Sequence, residues 1–208
     1  MAVNTNILKR FVIYMAILTF IMFTVWAFVR SFMNRPPGDY ETEICDIRLK
    51  DKQYDKAIIA ANTALQKTPN HRGAIMCKAL IFISQKNYFK ATQELDYLIN
   101  FLENNVKEDD KTGIGTLAAA YANRGIIKDR NKDYGGALKD YIKALGIDGE
   151  AVAGPGLGTI ILNYKFKSSS VKERALYLNE QLQLPESERV LRIQELDEGQ
   201  VMHKPGKL

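Results

Sequence analysis

Two histidines and two cysteines are the residues of this 208-residue chain best equipped for chemistry. His71 and His203 lie far apart, and neither has a nucleophile or carboxylate at the spacing of a catalytic motif. Cys45 and Cys77 form no C-x-x-C pair and have no histidine set beside them, which argues against zinc. Two cysteines permit a disulfide, but the expectation from sequence is a pair of small, buried apolar side chains. Gly154-Pro155-Gly156-Leu157-Gly158 has the glycines of a phosphate loop, yet no Gly-Lys-Ser/Thr follows and no strand precedes it. It reads as a helix break. Asp96, Asp109, Asp110 and Asp140 read as solvated charges. No cofactor, no metal and no enzymatic activity are expected.

The elements around these residues are more informative. Composition is that of a globular protein, 46% hydrophobic and 25% charged, with a net charge of +5. The cations are scattered among acids without interleaved aromatics, so no nucleic-acid partner is expected. Phe11 to Val29 is an uncharged run between Lys9-Arg10 and Arg30. Nineteen residues span about 28 Å as a helix, close to a bilayer's hydrocarbon core. No small-residue cleavage pattern follows in Arg30-Ser31-Phe32-Met33-Asn34-Arg35, so an uncleaved anchor is expected rather than a signal peptide. Residues 1–35 are therefore assigned to a tail and a transmembrane helix contacting lipid through Phe11 to Val29. Lys9 and Arg10 argue for the N-terminus inside, and Arg30, Arg35, Arg48 and Lys50 argue weakly the other way; the short tail before a large domain resembles bacterial signal anchors. The expected location is a bacterial inner membrane, single-pass, with the remaining domain outside the cytoplasm.

After Pro36-Pro37-Gly38 the chain repeats itself. Lys52-Gln53-Tyr54-Asp55-Lys56-Ala57 returns as Lys86-Asn87-Tyr88-Phe89-Lys90-Ala91 and as Lys132-Asp133-Tyr134-Gly135-Gly136-Ala137. The tyrosines are spaced by 34 and then 46 residues, the second interval being one period plus a 12-residue insertion. A 34-residue period is that of a helix–turn–helix solenoid.

In these motifs the chain resembles the tetratricopeptide repeat family. The third copy carries it most fully, with Tyr121-Ala122-Asn123-Arg124-Gly125, then Tyr134, Ala137, Tyr141 and Ala144-Leu145. Gly125, Ala79 and Cys45 fill the small slot where paired helices approach; Pro69 ends the first copy. Arg124 and Lys78 depart from the family's leucine, and Glu103 and Gly149 from its terminal proline. The resemblance covers about residues 38 to 151. It implies an all-α solenoid of about three repeats over residues 36–151. The insertion near 103–115 is expected as a solvated loop, with extension of the preceding helix as the alternative. Residues 152–208 are expected as a helical cap, with helices over Val171 to Leu182 and Pro185 to Leu196, and an extended tail from Gly199 to Leu208.

The family lines a concave groove with the first helix of each pair. That implies a partner-binding groove containing Asp39, Glu43 and Asp46, acidic and nearest the membrane. Met76, Cys77, Leu80 and Ile83 follow in its middle, with Asn123, Ile126 and Arg130 beyond. Family members that grip acidic chaperone tails use lysine, asparagine and arginine where Thr42, Asp46 and Cys77 stand, so that ligand is not expected. The expected function is a membrane-anchored scaffold or accessory subunit that holds another protein of a membrane or envelope complex. The rival expectations are a peptide-binding co-chaperone near a translocon or protease, and a mitochondrial outer-membrane receptor.

Overall fold

The structure is a computed structural model and describes residues 5–33, 35–152 and 170–193. Its first helix, α1, runs over Thr5–Met33. Thr5–Arg30 has a mean hydropathy of 2.3, and none of it is buried against the rest of the chain. Such a helix is about 39 Å long, enough to cross a hydrocarbon core of roughly 30 Å. Two of its hydroxyls are satisfied within the helix: Thr19 donates to Met15 O and Thr24 to Phe20 O. The Arg30 guanidinium lies 5.1 Å from the centroid of the Trp26 ring. Length and composition make α1 a candidate membrane span.

The break after α1 is built around Gly38, at φ 95°. A side chain there would be strained, and its Cβ would lie 2.9 Å from His71 Cδ2. Thr68 donates its hydroxyl hydrogen bond to Pro37 O, tying the break to the loop after the first hairpin.

Six helices then form three hairpins: α2 (Asp39–Lys50) with α3 (Tyr54–Lys67), α4 (Arg72–Ser84) with α5 (Tyr88–Asn105), and α6 (Lys111–Arg130) with α7 (Tyr134–Asp148). The repeated Lys-x-Tyr motif has a structural cause. Lys52, Lys86 and Lys132 each adopt a positive φ, of 58°, 58° and 65°. Each closes its first helix by two reverse hydrogen bonds, from Lys52 N to Leu49 O and from Gln53 N to Arg48 O in the first copy. Asn87 and Asp133 then cap the second helix through their side chains. Ala57, Ala91 and Ala137 are fully buried where each second helix meets its partner.

The insertion is mostly helical, and only 106–110 is a loop. α5 and α6 have 18 and 20 residues against 14 and 13 for α3 and α4, and the connecting segment has lengthened from 68–71 to 106–110. These changes absorb all 12 added residues. The charge that made 103–115 read as a loop instead supplies its cap, because Asp110 Oδ1 accepts from Gly113 N at 2.8 Å.

Helix α8 (Val171–Gln183) carries the expected C-terminal cap and begins with a capping box of Ser170 and Glu173. The described part of the expected helix from Pro185 to Leu196, which ends at Ile193, is not helical beyond one turn. A single 3-10 turn, Glu186–Glu188, gives way to extended chain through Ile193. The chain is strapped back onto α8 by bonds from Tyr177 Oη to Val190 O and from Val190 N to Gln181 Oε1. Gly154 to Gly158 and Gly199 to Leu208 lie outside the described residues.

Two core clusters fill the hairpins. The larger runs from α4 to α8 through Leu95, Leu98, Leu102, Tyr121, Ile126, Tyr141 and Leu178, with Leu191 packed against it. The smaller joins the first hairpin to α4 through Cys45, Ala57, Ala60, Ala61, Cys77 and Ile81.

Candidate functional site

A groove of about 940 Å3 opens at the edge where α1's connection enters the solenoid. One wall is a stripe along α2, at the helical spacing of Asp39, Thr42, Glu43, Asp46 and Lys50. Its rim holds Arg35 and Pro36, and its base is formed by His71, Arg72 and Gly73 at the start of α4. The far wall is the lengthened junction between the second and third hairpins: Phe101, Leu102, Asn105 and Val106 at the end of α5, and Asp110, Thr112 and Thr116 at the start of α6. The insertion therefore builds half of the site. Its position between two repeats was visible in the sequence; its helical form was not.

Carboxylates outnumber permanent cations in this lining, and two of the cations, Arg35 and Arg72, are engaged by carboxylates. Arg35 bridges Glu43 at 2.9 Å, both side chains being over a third exposed. Arg72 pairs with Asp110. The Arg72 hydrogen bond holds Asp110 below the ordinary carboxylate range, with the Gly113 N–H acting in the same direction. His71 Nδ1 accepts from Ala74 N, capping α4, while Nε2 lies 2.9 Å from Asp39 Oδ1. His71 thus has the carboxylate partner that sequence did not reveal. Exposed ion pairs such as Arg35–Glu43 contribute little to stability, about 0–1 kcal/mol, so an incoming charged group can replace one partner at small cost.

The expected groove residues divide. Asp39, Glu43 and Asp46 line the groove. Met76, Leu80, Ile83, Asn123 and Ile126 do not form an exposed stripe: all are buried, between 0% and 4% accessible. The neighbouring first helices close over one another, and Asn123 Nδ2 reaches Met76 Sδ at 3.5 Å. Arg130 lies 6.0 Å from the centroid of the Tyr88 ring, away from the groove lining.

Cys77 is also no groove residue. It is bonded to Cys45, with a Cα–Cα distance of 6.5 Å, and both side chains are fully buried. The expectation of two unpaired buried thiols is thus corrected. The cause is the repeat itself. A sequence separation of 32, just under one period, brings residues of α2 and α4 face to face. The same separation joins Asp39 to His71.

Asp96 and Asp140 are likewise more than solvated charges. Asp140 is buried and receives two hydrogen bonds from Arg124 at 2.8 Å, with Lys128 at 2.8 Å and Asp96 on the guanidinium's other side. Arg124, which departs from the resemblance's leucine, so links α5, α6 and α7.

No protein-family model matches the chain, and no curated protein matches it by sequence. Among solved structures, it is similar to the TPR domain of Arabidopsis OM64, at 19% identity and TM-score 0.45, over 55% of this chain and 84% of that one. It is also similar to the Sgt2 TPR domain from Aspergillus fumigatus, at 18% identity and TM-score 0.48, over 73% of this chain and 87% of that one. On their own helix pairing and repeated turn geometry, the described residues form an all-α solenoid of three helical hairpins with a C-terminal helix, preceded by a candidate membrane span.

Proposed function

We propose that this protein is a membrane-anchored interaction module that holds a segment of a second protein of the same membrane. One observation carries the reading: the groove's rim is made by Arg35 and Pro36, directly after the apolar helix. From Met33 to Asp39 the chain can span at most about 20 Å. The groove therefore stays near the bilayer surface, where membrane proteins present their adjoining segments at high effective concentration.

The lining sets the chemistry of the guest. Asp39, Glu43 and Asp46 favour a cationic segment and disfavour an acidic one, while the half-buried Phe101 and Val106 offer it apolar surface. Flanking charge alone gives no orientation, since Lys9-Arg10 and Arg30-Arg35 balance. The Cys45–Cys77 bond supports the solenoid on an oxidising, non-cytoplasmic side, as in a bacterial inner-membrane protein with its domain outside the cytoplasm. It weighs against the cytosol-facing receptor reading.

Reversing charge on one wall and adding it on the other tests this. Glu43→Lys and Asn105→Arg alter groove residues that are at least partly exposed. Each should reduce partner recovery from mild-detergent extracts about tenfold, equivalent to about 1.4 kcal/mol, with helical circular dichroism unchanged. Full recovery with both variants would remove the groove from the account.

A further inference from the structure

The first hairpin is held on by a core unlike the others. α2 buries only Thr42 and Cys45 of its 12 residues. The fully buried cluster beneath it consists of two cysteines, three alanines and Ile81, with the partly buried Ile44, Leu49, Tyr54 and Ile58 packed around it. Alanine removes little apolar surface from water, so the fully buried part of this core supplies less driving force than the leucines and tyrosines that join α4 to α8, against which the first hairpin places only the partly buried Leu49 and Leu65. Yet α2 carries the whole acidic wall of the groove. Its one covalent attachment to the rest of the solenoid, apart from the chain itself, is the bond from Cys45 to Cys77 on α4.

We propose that the Cys45–Cys77 disulfide completes the groove: the first hairpin docks stably only after oxidation, and in the dithiol chain the wall of Asp39, Glu43 and Asp46 is not held in place. The step is thiol–disulfide exchange with an oxidised dithiol. One thiolate, having lost its proton, attacks that oxidant's disulfide and displaces one of its sulfurs. The second thiolate then attacks the mixed disulfide, forming the Cys45–Cys77 bond and releasing the oxidant as a dithiol, with two electrons and two protons transferred. Both sulfurs are then fully buried. Reductants reach them only through opening of the hairpin, so the bond conditions assembly rather than serving as a rapid signal. A partner-binding site built this way forms after the domain has reached an oxidising compartment and stays incomplete before.

The docking claim stands on the two cores and the bond. Its consequence for binding rests on the groove reading above. The test uses the full chain in mild detergent, first as isolated and then after reduction with dithiothreitol under mild denaturant and return to native buffer with reductant. Intact mass follows the bond. The reduced chain keeps both thiols in place, so no cavity is introduced. Amide hydrogen exchange in α2 and α3 should accelerate on the order of 100-fold on reduction, while α6 and α7 change only a few-fold. Unchanged protection of α2 and α3 in the reduced chain would overturn the proposal, as would two thiols in the protein as isolated. Partner recovery is read separately. Faster exchange with the partner still bound would overturn the groove's dependence on this bond and the α2 wall's part in binding, while leaving the docking claim intact.

Discussion

Replacing Gly125 by leucine is expected to unfold the third hairpin. A Cβ at this position would lie 2.6 Å from Tyr141 Cε1 and 3.3 Å from Ala137 O. The tyrosine ring cannot step aside. It is fully buried, and its hydroxyl is held by Asp129 at 3.2 Å. Leucine in place of glycine gains about 1 kcal/mol of helix propensity. Overpacking at so close a crossing costs more, about 3 kcal/mol with leucine. The clash therefore wins. Thermal unfolding of the full chain should shift down by roughly 5–10 °C. Ala137→Leu, on the facing helix, should act in the same direction. An unchanged melting temperature for both variants would contradict the register of α6 on α7.

A second large effect is expected where the cap meets the last repeat. Arg174 on α8 is buried, with its Nε and Nη2 2.8 Å from the two carboxylate oxygens of Asp129 on α6. Nη2 also donates to Leu191 O at 3.0 Å, so the same side chain holds the strap after α8. Arg174→Met leaves the Asp129 charge buried and should destabilise by about 3–5 kcal/mol. Adding Asp129→Asn removes that charge while keeping an acceptor for Tyr141, and should recover much of the loss. Denaturant titration of both variants, with hydrogen exchange of α8, measures this coupling. A single variant as stable as the double would show that the pair does not hold the cap.

The repeats were legible because their signals are local. The Lys-x-Tyr turn, the small residues at helix crossings and the 34-residue spacing each reflect contacts within one hairpin. What the sequence did not reveal depends on neighbouring repeats. Cys45 finds Cys77, and Asp39 finds His71, only once α2 lies beside α4. Asp129 and Arg174 are 45 residues apart. The apolar character of Met76, Leu80 and Ile83 is plain in sequence, but not whether that face stays open; in the structure all three are buried in the larger core. Charged residues in 103–115 suggested a loop because composition alone does not distinguish an exposed helix from a solvated turn. For the site, sequence supplied the acidic wall on α2 and missed the wall made by the insertion.

The central claim is that a groove beside the bilayer holds another protein. Site-specific photo-crosslinking in intact membranes tests it most directly. A photoreactive residue at Asn105 looks into the groove, whereas one at Phe89, 75% exposed at the other end of α5, lies outside the lining. The account predicts one discrete crosslinked protein from position 105, lost when Glu43→Lys is added, and none from position 89. Equal crosslinking from both positions, or a product at 105 that survives Glu43→Lys in a folded chain, would contradict it.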